Sequence, residues 1–145
     1  MSTASPQNRE LARRLIGFEA ARAGSSDAPV DTAVLVIGEL RLRLTRLAGA
    51  EGFRSLLSRA LTLSKAEVPS LNIVRISSDG SLEGFDGIEG GEEAGAATQA
   101  GVALVAHLLE LLVTFIGAPL TLSLVRDKWP DASMDGTDSR PEENP

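Results

Sequence analysis

Residues 96–126 read AATQAGVALVAHLLELLVTFIGAPLTLSLVR, from Ala96 to Arg126, and this stretch decides the fold. It holds the longest apolar run and the single histidine of the 145-residue chain. On a helix of about 100° per residue, Gln99, Ala103, His107, Glu110, Thr114 and Gly117 fall in one narrow stripe. The rest of the circumference is apolar. Val102, Val105, Leu109 and Ile116 lie behind the stripe, and Leu104, Leu108, Leu111 and Phe115 form a flank. A helix apolar on most sides is buried, in protein or in lipid. Pro119 has no N–H and its ring clashes with the carbonyl four residues back. The helix should therefore kink near Gly117-Ala118 and resume to about Lys128. The alternation of Leu120, Leu122 and Leu124 leaves a short strand as the alternative there.

Upstream, three helical patterns could pack on this one. Asn8 is a candidate N-cap for a first helix that shows Leu11, Leu15 and Phe18 on one face and ends at Gly24-Ser25-Ser26. A second helix starts at Pro29 and runs to Ala48. Its stripe is Val30, Ala33, Val34, Ile37, Leu40, Leu44 and Leu47. Asp31 and Glu39 lie towards its N-terminus, and Arg41, Arg43 and Arg46 towards its C-terminus, as the helix dipole favours. Leu35 and Leu42 fall on the side opposite the stripe. Gly49 is a plausible C-cap. A third helix, Phe53 to Lys65, sets Phe53, Leu56, Leu57, Ala60 and Leu63 against Arg54, Ser55, Ser58 and Thr62. So short a connection makes helices two and three an antiparallel pair or a sharply bent corner.

Pro69 closes the helical region. Ile73, Val74 and Ile76 are β-branched, and Asp79-Gly80 is a two-residue hairpin signal, which predicts strands at 71–77 and 81–85. Asp86 to Gly95 is an acidic, glycine-rich loop without the alternating oxygen ligands of a calcium loop. Residues 1–7 are a polar leader, and residues 130–145 form an acidic tail expected to be disordered. The fold class is mainly α: a compact bundle of four to five helices around a central apolar helix at about 96–128. One small β-hairpin at about 71–85 packs beside it, and residues 8–129 form a single domain.

Composition narrows the chemistry. The chain has no cysteine, so it has neither disulfides nor thiolate chemistry. Net charge is −6, divided as +4 over residues 1–65 and −10 over residues 66–145. An acidic chain with few aromatics is poor material for nucleic acid, which needs a concentrated basic face and stacking platforms. No nucleophile elbow, phosphate loop or zinc spacing is present, and neither a metal nor a cofactor is expected.

His107 is the one candidate for acid–base or phosphoacceptor chemistry, with Glu110 one turn on as its carboxylate partner. A lone histidine on a small acidic helical bundle is similar to a histidine phosphotransfer domain. That family usually carries Lys three positions after the histidine and Gly next to it. Here Glu110 and Leu111 stand there, and a carboxylate repels a phosphoryl group. The candidate polar seam is Gln99, His107, Glu110 and Thr114, with Arg41, at the edge of the second helix's stripe, as a cation that could face it. The candidate interface is Leu35, Leu42, Leu104, Leu108 and Phe115.

These features point to a non-enzymatic interaction or regulatory protein of the cytoplasm, with a protein partner or a second copy covering surplus apolar surface. Two alternatives stand beside it: a membrane-associated protein, at the inner membrane, anchored by residues 101–125, and a chemical role for His107. Residues 101–125 are long enough to span a bilayer. His107, Glu110 and Pro119 inside the run, and amphipathic helices that need an apolar partner, favour a core helix instead.

Overall fold

A computed structural model describes residues 5–23, 29–77, 82–84 and 96–130. It contains helices α1 (Pro6–Ala23), α2 (Pro29–Glu67), α3 (Ala96–Ile116) and α4 (Ala118–Lys128). A 3-10 turn (Pro69–Ile73) and a hairpin of β1 (Arg75–Ile76) and β2 (Leu82–Glu83) follow α2. The chain is mainly helical with one small antiparallel hairpin, as its periodicities imply. The proposed leader as far as residue 4, the end of the first helix at 24–26, the Asp79-Gly80 turn, the 86–95 loop and the tail from 131 lie outside the described residues.

Helix α3 is the centre. It packs chiefly against α2, then α1, and α4 folds back on it. Every residue from Ala100 to Leu109 is buried. α1 contributes Leu11, Ala12 and Leu15, and α2 contributes Ala33, Val36, Ile37, Leu40, Leu44, Phe53, Leu56, Leu57, Ala60 and Leu61 to one continuous apolar core. Among the described residues Phe53 and Trp129 are its only buried aromatics, and that core is held by many small aliphatic contacts.

The second and third sequence helices are one element, α2, bent at Gly49. Gly49 sits at φ 82, ψ 165, outside helical space, and splits α2 into arms 29–48 and 50–67. Glycine reaches positive φ without a Cβ penalty, so the bend falls there. Gly52 is needed just beyond it, because a Cβ there would stand 2.9 Å from the Ala48 methyl. The two arms thus meet directly, with Gly49 as the one non-helical residue between them.

The long apolar stretch breaks where its glycine and proline stand. Gly117, at φ 92 and ψ 154, ends α3, and Pro119 takes a first-turn position of α4, where its missing N–H is harmless. Residues 120–124 are helical: Thr121 N donates to Gly117 O at 3.0 Å. Val125 is buried in α4 and Trp129 beyond it, while Leu120 on the other side is exposed.

Two local expectations are corrected. Ser5, not Asn8, caps α1: Asn8 N donates to Ser5 Oγ at 3.2 Å, and Arg9 N to Ser5 O at 2.9 Å. Ser-Pro is a natural helix start, with Pro6 in the first turn. The first predicted strand is also shorter. Leu71–Ile73 belong to the 3-10 turn, because Pro69 starts a helical turn that buries Leu71 in the core. Among the described residues, pairing joins Arg75 with Glu83 and Ile76 with Leu82. Gly84 follows at φ 90, where a Cβ would collide with the Ile73 carbonyl.

Candidate functional site

The polar stripe of α3 faces the place where α1 begins and α2 ends. His107 is 2% exposed. Its Nε2 lies 3.0 Å from Glu67 Oε1, on the last residue of α2. A carboxylate only accepts, so the ring presents N–H on that side. The other oxygen of Glu67 accepts from Arg9 Nη2 of α1 at 2.6 Å. One carboxylate thus ties three helices together. Glu67 stands in the last helical turn, where the helix dipole disfavours an acid, so it depends on cationic and N–H partners.

One turn along α3, Glu110 does not bond His107. Its Oε1 accepts from Asn8 Nδ2 at 2.6 Å and from Ser5 N at 3.1 Å. The carboxylate therefore sits at the start of α1, where the dipole welcomes negative charge. It does from another helix what the acidic member of a capping box does from its own. Burial pushes the Glu110 carboxyl up. The Asn8 amide, the Ser5 N–H and hydroxyl, and nearby His107 outweigh that and hold it below its ordinary value of 4.5. Asn8 itself is buried, and its Oδ1 has no partner. The Glu110 bond fixes which way that amide points.

The remaining seam residues are less engaged. Thr114 returns its hydroxyl to Glu110 O at 3.1 Å and is exposed. Gln99 is exposed and lines a shallow cleft of ≈ 290 Å³ with Arg9, Arg13, Glu67, Val68 and Val102. Arg41 is half-buried on the first arm of α2, and the partners of His107 and Glu110 come from α1 and the end of α2 instead. Sequence reading missed Ser5, Arg9 and Glu67 as seam partners, and missed what Asn8 does. An acid at a helix C-terminus, as at Glu67, was the available signal. It also missed Glu19, buried on α1, which accepts the Trp129 indole N–H at 2.9 Å and pins the end of α4 to α1.

The candidate interface residues divide. Leu104 and Leu108 are fully buried, so their assignment to an interface is corrected: they fill the space between α3 and its neighbours. Leu35 is 46%, Leu42 58% and Phe115 68% exposed. Leu35 and Leu42 share the outer face of the first arm of α2, one heptad apart, and nothing stands within 4 Å of a Cβ built on Gly38 between them. Phe115 marks the α3–α4 corner with Leu120. Beside the outer face, Glu39 accepts from Arg43 Nη1 at 3.0 Å and lies 3.5 Å from Lys128 Nζ. Arg43 Nε bonds Asp127 Oδ2 at 2.9 Å, clamping α2 to α4.

Gln99–Ile116 is long and apolar enough to cross a membrane, and 61% of it is buried within the bundle. Among the described residues no three His, Asp or Glu side chains converge on a metal-sized site. Comparison with family models, with curated proteins and with solved structures finds no match.

Proposed function

We propose that this chain is a cytoplasmic, non-enzymatic interaction module whose working surface is the outer face of the first arm of α2. The observation that carries the reading is the row Leu35–Gly38–Leu42. Its leucines are exposed on a helix whose opposite side buries Ala33, Val36, Ile37, Leu40 and Leu44 in the core. Exposed large apolar groups grouped on one face are characteristic of protein contacts.

The chemical reading of His107 is weaker on physical grounds. Its ring is buried and its Nε2 is held by Glu67. A phosphoryl donor approaching α3 meets the Glu67 and Glu110 carboxylates first. The bilayer reading would have to draw α3 from between α1 and α2. That would uncover the core residues of both and strand the carboxylate bridges of Glu67 and Glu110.

A photo-crosslinking residue at position 42, expressed in the full chain in native cells, tests the proposal. A discrete protein adduct at 42, and none at the exposed, polar position 58 on the second arm, is the expected result. No adduct at 42, or equal labelling at both positions, would overturn it.

A further inference from the structure

We infer that the occupant of this face is a second copy of the chain, docked antiparallel, with the two α2 arms crossing at Gly38. The inference rests on the interface reading above and adds the partner and its register.

Three observations carry it. First, Gly38 is unexplained within one chain. It lies inside a helix, where glycine is a poor helix former, yet a Cβ there would meet nothing within 4 Å. Glycine is not required by any neighbour in the monomer. It is required where another backbone comes close.

Second, the row is self-complementary. Leu35 lies three residues before Gly38, and Leu42 four residues after it. Turning one arm end for end about a point between positions 38 and 39 sets Leu35 of each copy against Leu42 of the other. Gly38 then lies at the crossing. Such a contact is isologous and closes on itself, as two-fold interfaces do.

Third, charge selects the antiparallel sense. Between positions 29 and 39 the sequence has two acids and no base. Between 40 and 48 it has three arginines and no acid. Antiparallel pairing in this register sets Arg46 of each arm against Asp31 of its partner and opposes the two helix dipoles. Parallel pairing would stack arginine on arginine. Glu39, nearest the axis, turns its carboxylate to Arg43 and Lys128 and is not presented bare to its counterpart.

The arm is about 30 Å long, and one helix crossing buries less than a standard interface. A monomer–dimer equilibrium is therefore expected, rather than an obligate dimer.

The natural absence of cysteine allows a direct test. Gly38→Cys, Leu35→Cys and Leu42→Cys are each made in the full chain and oxidised, alone and in mixtures. A disulfide needs Cα atoms within about 7 Å. Antiparallel crossing predicts rapid self-linking of Gly38→Cys. It predicts slow self-linking of Leu35→Cys or Leu42→Cys alone, whose partners stand about 10 Å apart along the axis. Mixing Leu35→Cys with Leu42→Cys should restore fast linking. Equal self-linking at all three positions means a parallel pair and overturns the register. No linking anywhere overturns self-association. The position-42 photo-adduct then decides separately whether the interface reading survives with a different protein as partner. As a second arm, Gly38→Gln should keep the helical circular dichroism and raise the dimer dissociation constant about tenfold or more. Unchanged dimerisation of Gly38→Gln contradicts a close crossing.

Discussion

Two faces of the same bundle treat their residues in opposite ways. Where α1 starts and α2 ends against α3, charged groups are drawn in and partnered: Glu67 serves His107 and Arg9, and Glu110 serves Asn8 and Ser5. On the outer face of the first arm of α2, apolar groups are left uncovered around a glycine. His107, the one candidate for chemistry, belongs to the partnered face. A buried, bonded imidazole costs stability when removed. Replacing an exposed leucine costs almost nothing in the monomer, so its substitution tests contacts outside the chain.

That contrast can be broken at either face. The largest effect is expected at the seam. His107→Ala empties a fully buried ring site and strips Glu67 of one partner. It should destabilise the chain by about 2–4 kcal/mol in chemical denaturation. A loss near zero would mean that the seam does not hold the helices together.

Glu110→Ala should cost less, about 1–2 kcal/mol, because it leaves the Ser5 N–H and the buried Asn8 amide without their acceptor. The same residue gives the seam a pH signature. Its folded-state carboxyl titrates below its ordinary 4.5. The contribution is therefore present in full above that value and fades as pH falls through the lowered one. Acid titration of stability should show a shallower loss below pH 4.5 in Glu110→Gln than in the wild type. Identical acid limbs would show that the carboxylate does not clamp α1.

The outer face should respond in the opposite sense. Gly38→Ala should stabilise the monomer by up to about 1 kcal/mol, since alanine is the better helix former and its methyl meets nothing. Leu42→Lys should change monomer stability by no more than about 0.5 kcal/mol. A large loss in either would place the face in the core.

Much of the fold was legible because its cues are local. Gly49, Gly117 and Pro119 punctuate the helices where positive φ or a missing N–H requires it, and the apolar spacing of α2 and α3 marks what lies between them. The seam was half legible. Projection found His107 and Glu110 on one stripe, and nearness along the helix suggested that they pair. Their actual partners stand 40 and 102 residues away in sequence, which no local periodicity encodes. Leu104 and Leu108 were misplaced for a related reason. On a helix apolar nearly all round, the sequence does not mark which sides other helices will cover. The exposure of Leu35 and Leu42 was legible, since they lie opposite the apolar stripe of the first arm of α2. The Glu19–Trp129 bond, 110 residues apart, left no sequence signal.

Sedimentation equilibrium of the full chain, with the wild type beside Leu42→Lys over about 1–500 µM, tests the exposed row most directly. The expected wild-type mass rises with concentration from 15.2 kDa towards twice that value, while Leu42→Lys stays at 15.2 kDa throughout. A wild type that remains at 15.2 kDa, or a variant that rises alongside it, would contradict the assignment of this face to a second copy.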